Sequence, residues 1–169
     1  GVRRSGWAVA GERHTKMARV ADSRQVNARR GSVYPHPHRA QLEGRLKRRL
    51  GDLVGISQFG VNLVTLEPGA WSSQRHWHEK EDEFVYIIAG EATLVTDDGE
   101  QTLGPGMFAG FPAGESNAHR LANKTDAPVI YLEIGTRTLD ERATYPDVQM
   151  KAHKVDGKWV FTRNDGTPY

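Results

Sequence analysis

Two imidazoles and a carboxylate stand close enough in this chain to hold one metal ion. In Ser72-Ser-Gln-Arg-His76-Trp-His78-Glu-Lys-Glu-Asp-Glu83, one residue separates the histidines. On a β-strand, residues i and i+2 project from the same face, so His76 and His78 point together, Trp77 points away, and Gln74 shares their face. Of the four acidic residues that follow, Glu83 is the partner. It stands at the head of the apolar strand Phe84-Val-Tyr-Ile-Ile-Ala89, from which it reaches back toward the histidines, while Glu79 to Asp82 form the connecting turn. Two imidazoles and a carboxylate make a facial set for a divalent first-row metal and leave positions open for substrate or water.

With Gly69 before them and Gly90 after, His76, His78 and Glu83 resemble the first motif of the cupin superfamily, with one extra residue between Gly69 and His76. Fifteen residues later, Gly106-Met-Phe-Ala-Gly-Phe-Pro112-Ala-Gly114-Glu-Ser-Asn117-Ala-His119-Arg-Leu-Ala-Asn123 resembles the second motif. Here the chain departs from the pattern: the position of the family's histidine holds Asn117, and a histidine arrives two residues on, at His119. Both share a strand face. His119 is the expected fourth ligand, because imidazole is the better donor to a first-row metal and His119-x3-Asn123 keeps the family's trailing spacing; Asn117 is the alternative. The resemblance implies an all-β jelly-roll barrel, with one divalent first-row ion per chain (Fe, Mn, Ni or Zn) held by His76, His78, Glu83 and His119. A metal-free cupin using the histidines for buried hydrogen bonds is the blander reading.

These residues need a scaffold of short strands, and the composition suits one. In 169 residues there are 18 glycines, 8 prolines and no long apolar run, so brief strands joined by turns are expected rather than long helices or a membrane span. Zero cysteines exclude disulfides, zinc thiolate sites and thiol nucleophiles. With no hydrophobic leader, the expected location is cytoplasmic. The net charge of +2 is uneven: residues 1–30 carry eight Lys or Arg against two acids, which makes that segment +6 and leaves 31–169 at −4. Nucleic-acid binding is therefore not expected of the domain.

The expected organisation is a basic N-terminal extension over residues 1–30 and a cupin domain over 31–169, with a barrel core about 55–136 and a tail 137–169. Leu42, Leu46 and Leu50, four apart, predict a short helix in Arg39–Leu50. Its charges Arg45, Lys47, Arg48 and Arg49 suit a phosphate patch or, more plainly, a solvated face. Eight strands are predicted, at 60–67, 72–78, 83–89, 91–96, 100–103, 107–112, 117–123 and 129–135. His36 and His38 repeat the His-x-His pattern, but Pro35 and Pro37 break it. The strand Phe84–Ala89 lacks polar alternation, which predicts cover on both faces and, with it, a homodimer. The tail carries sparse aromatic anchors (Tyr145, Trp159, Phe161, Tyr169) expected to pack over the barrel or a neighbouring subunit. His76-Trp-His-Glu-Lys-Glu-Asp-Glu-Phe-Val-Tyr and the ending Phe161-Thr-Arg-Asn-Asp-Gly-Thr-Pro-Tyr169 resemble a bacterial group of single-domain cupins.

The function expected is a metal-binding cupin that acts as a small-molecule metalloenzyme. A dioxygenase-like oxidoreductase ranks slightly above a sugar or sugar-phosphate isomerase or epimerase, and a non-catalytic small-ligand-binding cupin is the third reading. Gln74 and Asn117 are the expected substrate-binding residues, with Tyr131 and Glu133 as further candidates. A phosphate clamp has Arg75, Lys80 and Arg120 nearby in sequence, yet alternation turns Arg75 and Arg120 away from the ligand face.

Overall fold

The computed structural model describes residues 18–169; the first seventeen residues of the basic extension, His14 among them, lie outside it. In chain order the strands are β1 (Arg29–Arg30), β2 (Arg45–Arg49), β3 (Phe59–Leu66), β4 (Trp77–His78), β5 (Glu83–Ala89), β6 (Ala92–Thr96) and β7 (Gly99–Leu103). They continue with β8 (Phe108–Phe111), β9 (Arg120–Ala122), β10 (Val129–Thr136), β11 (Arg142–Tyr145), β12 (Met150–Val155) and β13 (Lys158–Thr162). One helical turn, α1 (Leu50–Leu53), follows β2. A six-stranded antiparallel sheet of order β1-β2-β3-β10-β5-β8 faces a three-stranded sheet, β7-β6-β9, as a jelly-roll barrel. A four-stranded sheet, β13-β12-β11-β4, adds the C-terminal residues to the strand that carries His78. No helix among the described residues is long and apolar enough to cross a membrane.

Alternation fills the barrel. On β5, Val85 and Ile87 turn inward and are buried, and they meet Val64 and Leu66 of β3, Leu94 of β6, Leu121 of β9, and Val129 and Tyr131 of β10. Each fully buried aliphatic side chain contributes about 1.5–3 kcal/mol. The opposite face of β5 is open within one chain. Tyr86 and Ile88 are 39% and 45% exposed, and Phe108 on the edge strand β8 is 64% exposed, so within one chain β5 is covered on one side only. At the end of β5 the chain reverses through Gly90, whose φ of +78° is left-handed and where an added Cβ would meet the Pro128 carbonyl oxygen at 2.3 Å. Only glycine fits there.

One expectation changes, and another gains detail. Of the segment Arg39–Leu50 predicted as a short helix, Ala40–Leu42 is a single 3-10 turn and Arg45–Arg49 is the strand β2, paired with β3 along its whole length; α1 begins only at Leu50. A helix there would leave the edge of β3 without hydrogen bonds, and the Arg45 guanidinium, which donates to the carbonyls of Gly31 and Ser72, would lose its partners. The leucines four apart instead separate, with Leu42 fully buried in a second core. That core also unites Tyr34, Ala143, Tyr145, Met150 and Ala152, with Val148, Trp159 and Phe161 against it. The tail therefore forms a sheet with its own core, completed by residues from ahead of the barrel. Arg29 and Arg30 of the basic extension form the outermost strand of the main sheet.

Candidate metal centre

Three segments bring four donors together inside the barrel. His76 and His119 lie opposite each other and exchange both backbone hydrogen bonds, at 3.1 and 2.9 Å, which sets their rings side by side. His78 is two residues further on the same face, in β4. Glu83 opens β5, opposite Phe111 of β8 and Gly135 of β10. The resulting separations are 3.1 Å between His76 Nε2 and His78 Nε2, and 2.7, 3.3 and 3.4 Å from Glu83 Oε2 to the Nε2 atoms of His119, His76 and His78. Neighbouring donors around an octahedral ion with bonds of about 2.1 Å stand about 3.0 Å apart. His76, Glu83 and His119 lie close enough together for one first-row ion, and His78, 3.1 Å from His76, also stands beside Glu81 and Glu141.

Orientation is built in around the donors. His76 Nδ1 lies 2.9 Å from the Gln74 carbonyl oxygen and 3.2 Å from Ser73 Oγ; the ring N–H donates to the carbonyl and leaves the Nε2 lone pair facing the centre. Each imidazole also meets an aromatic ring: His119 is stacked on Phe111 at 3.5 Å between centroids, His76 on Tyr145 at 5.5 Å, and His78 is tilted against Trp159 at 6.2 Å. Two of these three rings come from the C-terminal tail. Burial pushes the Glu83 carboxyl up, but the charge of His78 and the hydrogen bonds of His119 and His76 outweigh it and hold the group well below the usual carboxylate range. His119 is shifted down chiefly by its burial. His78 moves the other way, pushed down by burial but raised overall by the Glu83 charge and hydrogen bond; a cation at the centre would favour the Glu83 carboxylate and the neutral His119 ring and oppose the rise at His78.

Glu81 and Glu141, both buried, lie close to His78 and would make a second acidic group there. They are already satisfied. Glu81 accepts from the Lys154 ammonium and the Thr138 N–H, and Glu141 accepts from the backbone N–H groups of Glu79, Lys80 and Arg142. Their work is to clamp the turn that delivers Glu83.

The donors open into a cavity of about 240 Å³. Ser72, Ser73, Tyr131 and Glu133 line it from the barrel, Tyr34, Tyr145, Trp159 and Phe161 from the second core, and Arg29, Arg45, Lys47 and Arg49 from β1 and β2. Tyr131 is 1% exposed and its hydroxyl has no hydrogen-bond partner among the described residues. Burial raises its pKa well above the usual tyrosine value, so it is a donor at neutral pH. Glu133 accepts from Lys47 Nζ at 2.7 Å and Asn62 Nδ2 at 3.0 Å. Burial pushes its carboxyl up, and the Lys47 charge more than compensates, leaving it ionised.

The two residues expected to bind substrate do not face this space. Asn117 is exposed: its Oδ1 accepts from the Asp97 N–H and its Nδ2 donates to Asp98, which ties down the β6–β7 hairpin. Gln74 is buried, but its amide donates to the His38 carbonyl. Nor does any residue of the clamp considered from sequence line the cavity. Arg75 is bound by Asp147 and Asp97, Lys80 by Asp140, and Arg120 lies over the Trp71 ring. The basic groups of β2 that do face the cavity follow a period of two, hidden by leucines four apart; the aromatic lining from the tail carries no local signal.

Residues 62–135 match the cupin domain family. A solved structure from Silicibacter pomeroyi DSS-3, described as a sugar phosphate isomerase of the cupin superfamily, is 48% identical over 89% of this chain and 96% of that one, with a TM-score of 0.86. This chain belongs to the cupin superfamily. A second cupin-fold structure, from Acidithiobacillus ferrooxidans and provisionally described as a sugar phosphate isomerase, is 30% identical over 74% of this chain and 80% of that one, with a TM-score of 0.68. A polyketide cyclase from Streptomyces resistomycificus, 21% identical over 71% of this chain and 80% of its own, shares the fold at a TM-score of 0.57. No curated protein matches the chain. Cupins commonly bind a metal, and the His/Glu group here is of that kind.

Proposed function

We propose that this cupin is a metal-dependent enzyme that isomerises a small hydroxy-carbonyl compound, with His76, His78, Glu83 and His119 as the ligands of one divalent first-row ion. The observation that carries the reading is the company the donors keep: an ionised, buried carboxylate, Glu133, and a buried hydroxyl without a partner among the described residues, Tyr131, line the same cavity. An ion held there would supply polarisation of a substrate carbonyl. Glu133 takes the proton from the hydroxyl-bearing carbon and returns it to the neighbouring carbonyl carbon while the hydroxyl proton passes to the carbonyl oxygen, and the Tyr131 hydroxyl hydrogen-bonds to the oxygen on which charge develops. Tyr145, Trp159 and Phe111 keep the imidazoles dry and in place. The likeness to the Silicibacter pomeroyi protein supports the same reading.

The reading places oxygen-dependent chemistry, which the sequence ranked first, in second position. Open coordination positions suit both reactions; the acid and base suit proton transfer. The test is turnover by protein reconstituted with Fe(II), Mn(II), Ni(II) or Zn(II) on aldose, ketose and keto-acid panels in deuterated water. Incorporation of solvent deuterium at carbon, lost in Glu133→Gln, is expected. Substrate-dependent oxygen consumption would replace isomerisation with the oxidative reading, and saturable binding without turnover would make the protein a binding module. We also propose that the molecule is a homodimer, joined through the exposed outer face of β5 and β8.

A further inference from the structure

We propose that Arg29, Lys47 and Arg49 form a binding site for the phosphate group of a phosphorylated substrate, at the mouth of the cavity whose floor holds the four donors. The proposal deepens the metal-dependent reading and names its substrate class. It rests on strand geometry. Alternation on β2 turns Arg45, Lys47 and Arg49 to one side, and Lys47 lies directly opposite Arg29 of β1. All four line the cavity.

Two of these cations have donors to spare. Arg45 is consumed by the carbonyls of Gly31 and Ser72, and one Lys47 proton serves Glu133 at 2.7 Å. Arg49, by contrast, makes one long ion pair, 3.7 Å to Asp52, and Arg29 makes none among the described residues. Like charges directly across a strand pair, and again two residues along, destabilise a sheet. An anion bridging them converts that repulsion into attraction. Guanidinium forks suit phosphate oxygens in particular, because each offers two parallel N–H donors. A doubly charged phosphate is also a better match than a single carboxylate for three cations. Arg29, Lys47 and Arg49 lie ahead of the matched cupin segment at 62–135, so the site belongs to this chain's N-terminal strands and not to the barrel motifs.

Calorimetric titration of the full chain tests the site with inorganic phosphate, glucose 6-phosphate and glucose, before and after loading with Mn(II) or Zn(II). One phosphate per chain is expected with and without metal, and glucose 6-phosphate is expected to bind more tightly than glucose. Arg29→Ala and Arg49→Ala should each weaken phosphate by about tenfold. Both are exposed positions, so folding should survive, and one metal per chain should still bind. Lys80→Ala, outside the cavity, should change nothing. Wild-type phosphate affinity in the Arg29→Ala, Arg49→Ala double variant would overturn the site, as would equal affinity for acetate. Metal binding without any phosphate binding would remove this inference and leave the metal reading standing. Phosphate binding without any metal binding would do the reverse.

Discussion

At the scale of single residues, the fourth donor separates two arguments that the sequence ran together. Asn117 and His119 share a face only if both lie on one extended strand, but β9 begins at Arg120. His119 is held by its backbone exchange with His76, whereas Asn117 belongs to the preceding loop and caps a hairpin. Asn117→Ala is accordingly expected to leave metal content at one ion per chain, and His119→Ala to lower metal affinity by at least about tenfold, measured by elemental analysis after dialysis. Glu133 supplies the pH test. Its folded-state pKa lies below its unfolded value, so its contribution to stability is fully present above the ordinary carboxylate range near 4.5 and is lost as pH falls through the lower, folded value. Urea unfolding of Glu133→Gln from pH 7 to pH 3 should therefore show a shallower loss of stability than the unchanged protein. His76, His78 and Glu83 were readable because their spacing is local. Tyr145 and Trp159 were not, since they meet the imidazoles only through a sheet formed about seventy residues further on.

At the scale of elements, what could be read followed from how the strands bury their faces. The limits of β5 agree with the sequence expectation, Glu83–Ala89, because an apolar run between an acidic turn and Gly90 leaves little freedom. The segment 39–50 misled, because three leucines spaced four apart describe a helix only when nothing else needs the backbone, and here β3 needed a partner. The tail was expected to pack over the barrel or a neighbouring subunit; its three strands join β4 and lay Tyr145 and Trp159 against the barrel imidazoles, and they also build a core with Tyr34 and Leu42. Met150, fully buried there, makes that core testable. Met150→Ala should cost about 2–5 kcal/mol in urea unfolding. It should also weaken substrate more than metal, because the core backs the aromatic wall of the cavity and supplies none of the four donors.

At the scale of the whole molecule, the outer face of the main sheet leaves Phe84 stacked on Phe108 at 5.7 Å, beside Tyr86 and Ile88. Contiguous apolar surface of this kind marks an interaction site. With a second copy as partner, Phe108→Glu should convert a dimer into a monomer by sedimentation velocity while metal content is unchanged. The closure of the second core carries a different consequence. Tyr34 packs against Tyr145 and Phe161, and His38 bonds the Tyr169 hydroxyl across 131 residues of chain, whereas β5, β6, β7 and β8 follow one another through short turns. Contacts between nearby segments form sooner than those that must first close a long loop. During refolding the β5–β8 meander that carries Glu83 should thus assemble before the walls of the cavity, and during synthesis those walls must wait for the last strands to emerge. A nascent chain would hold one side of a barrel before it encloses any space.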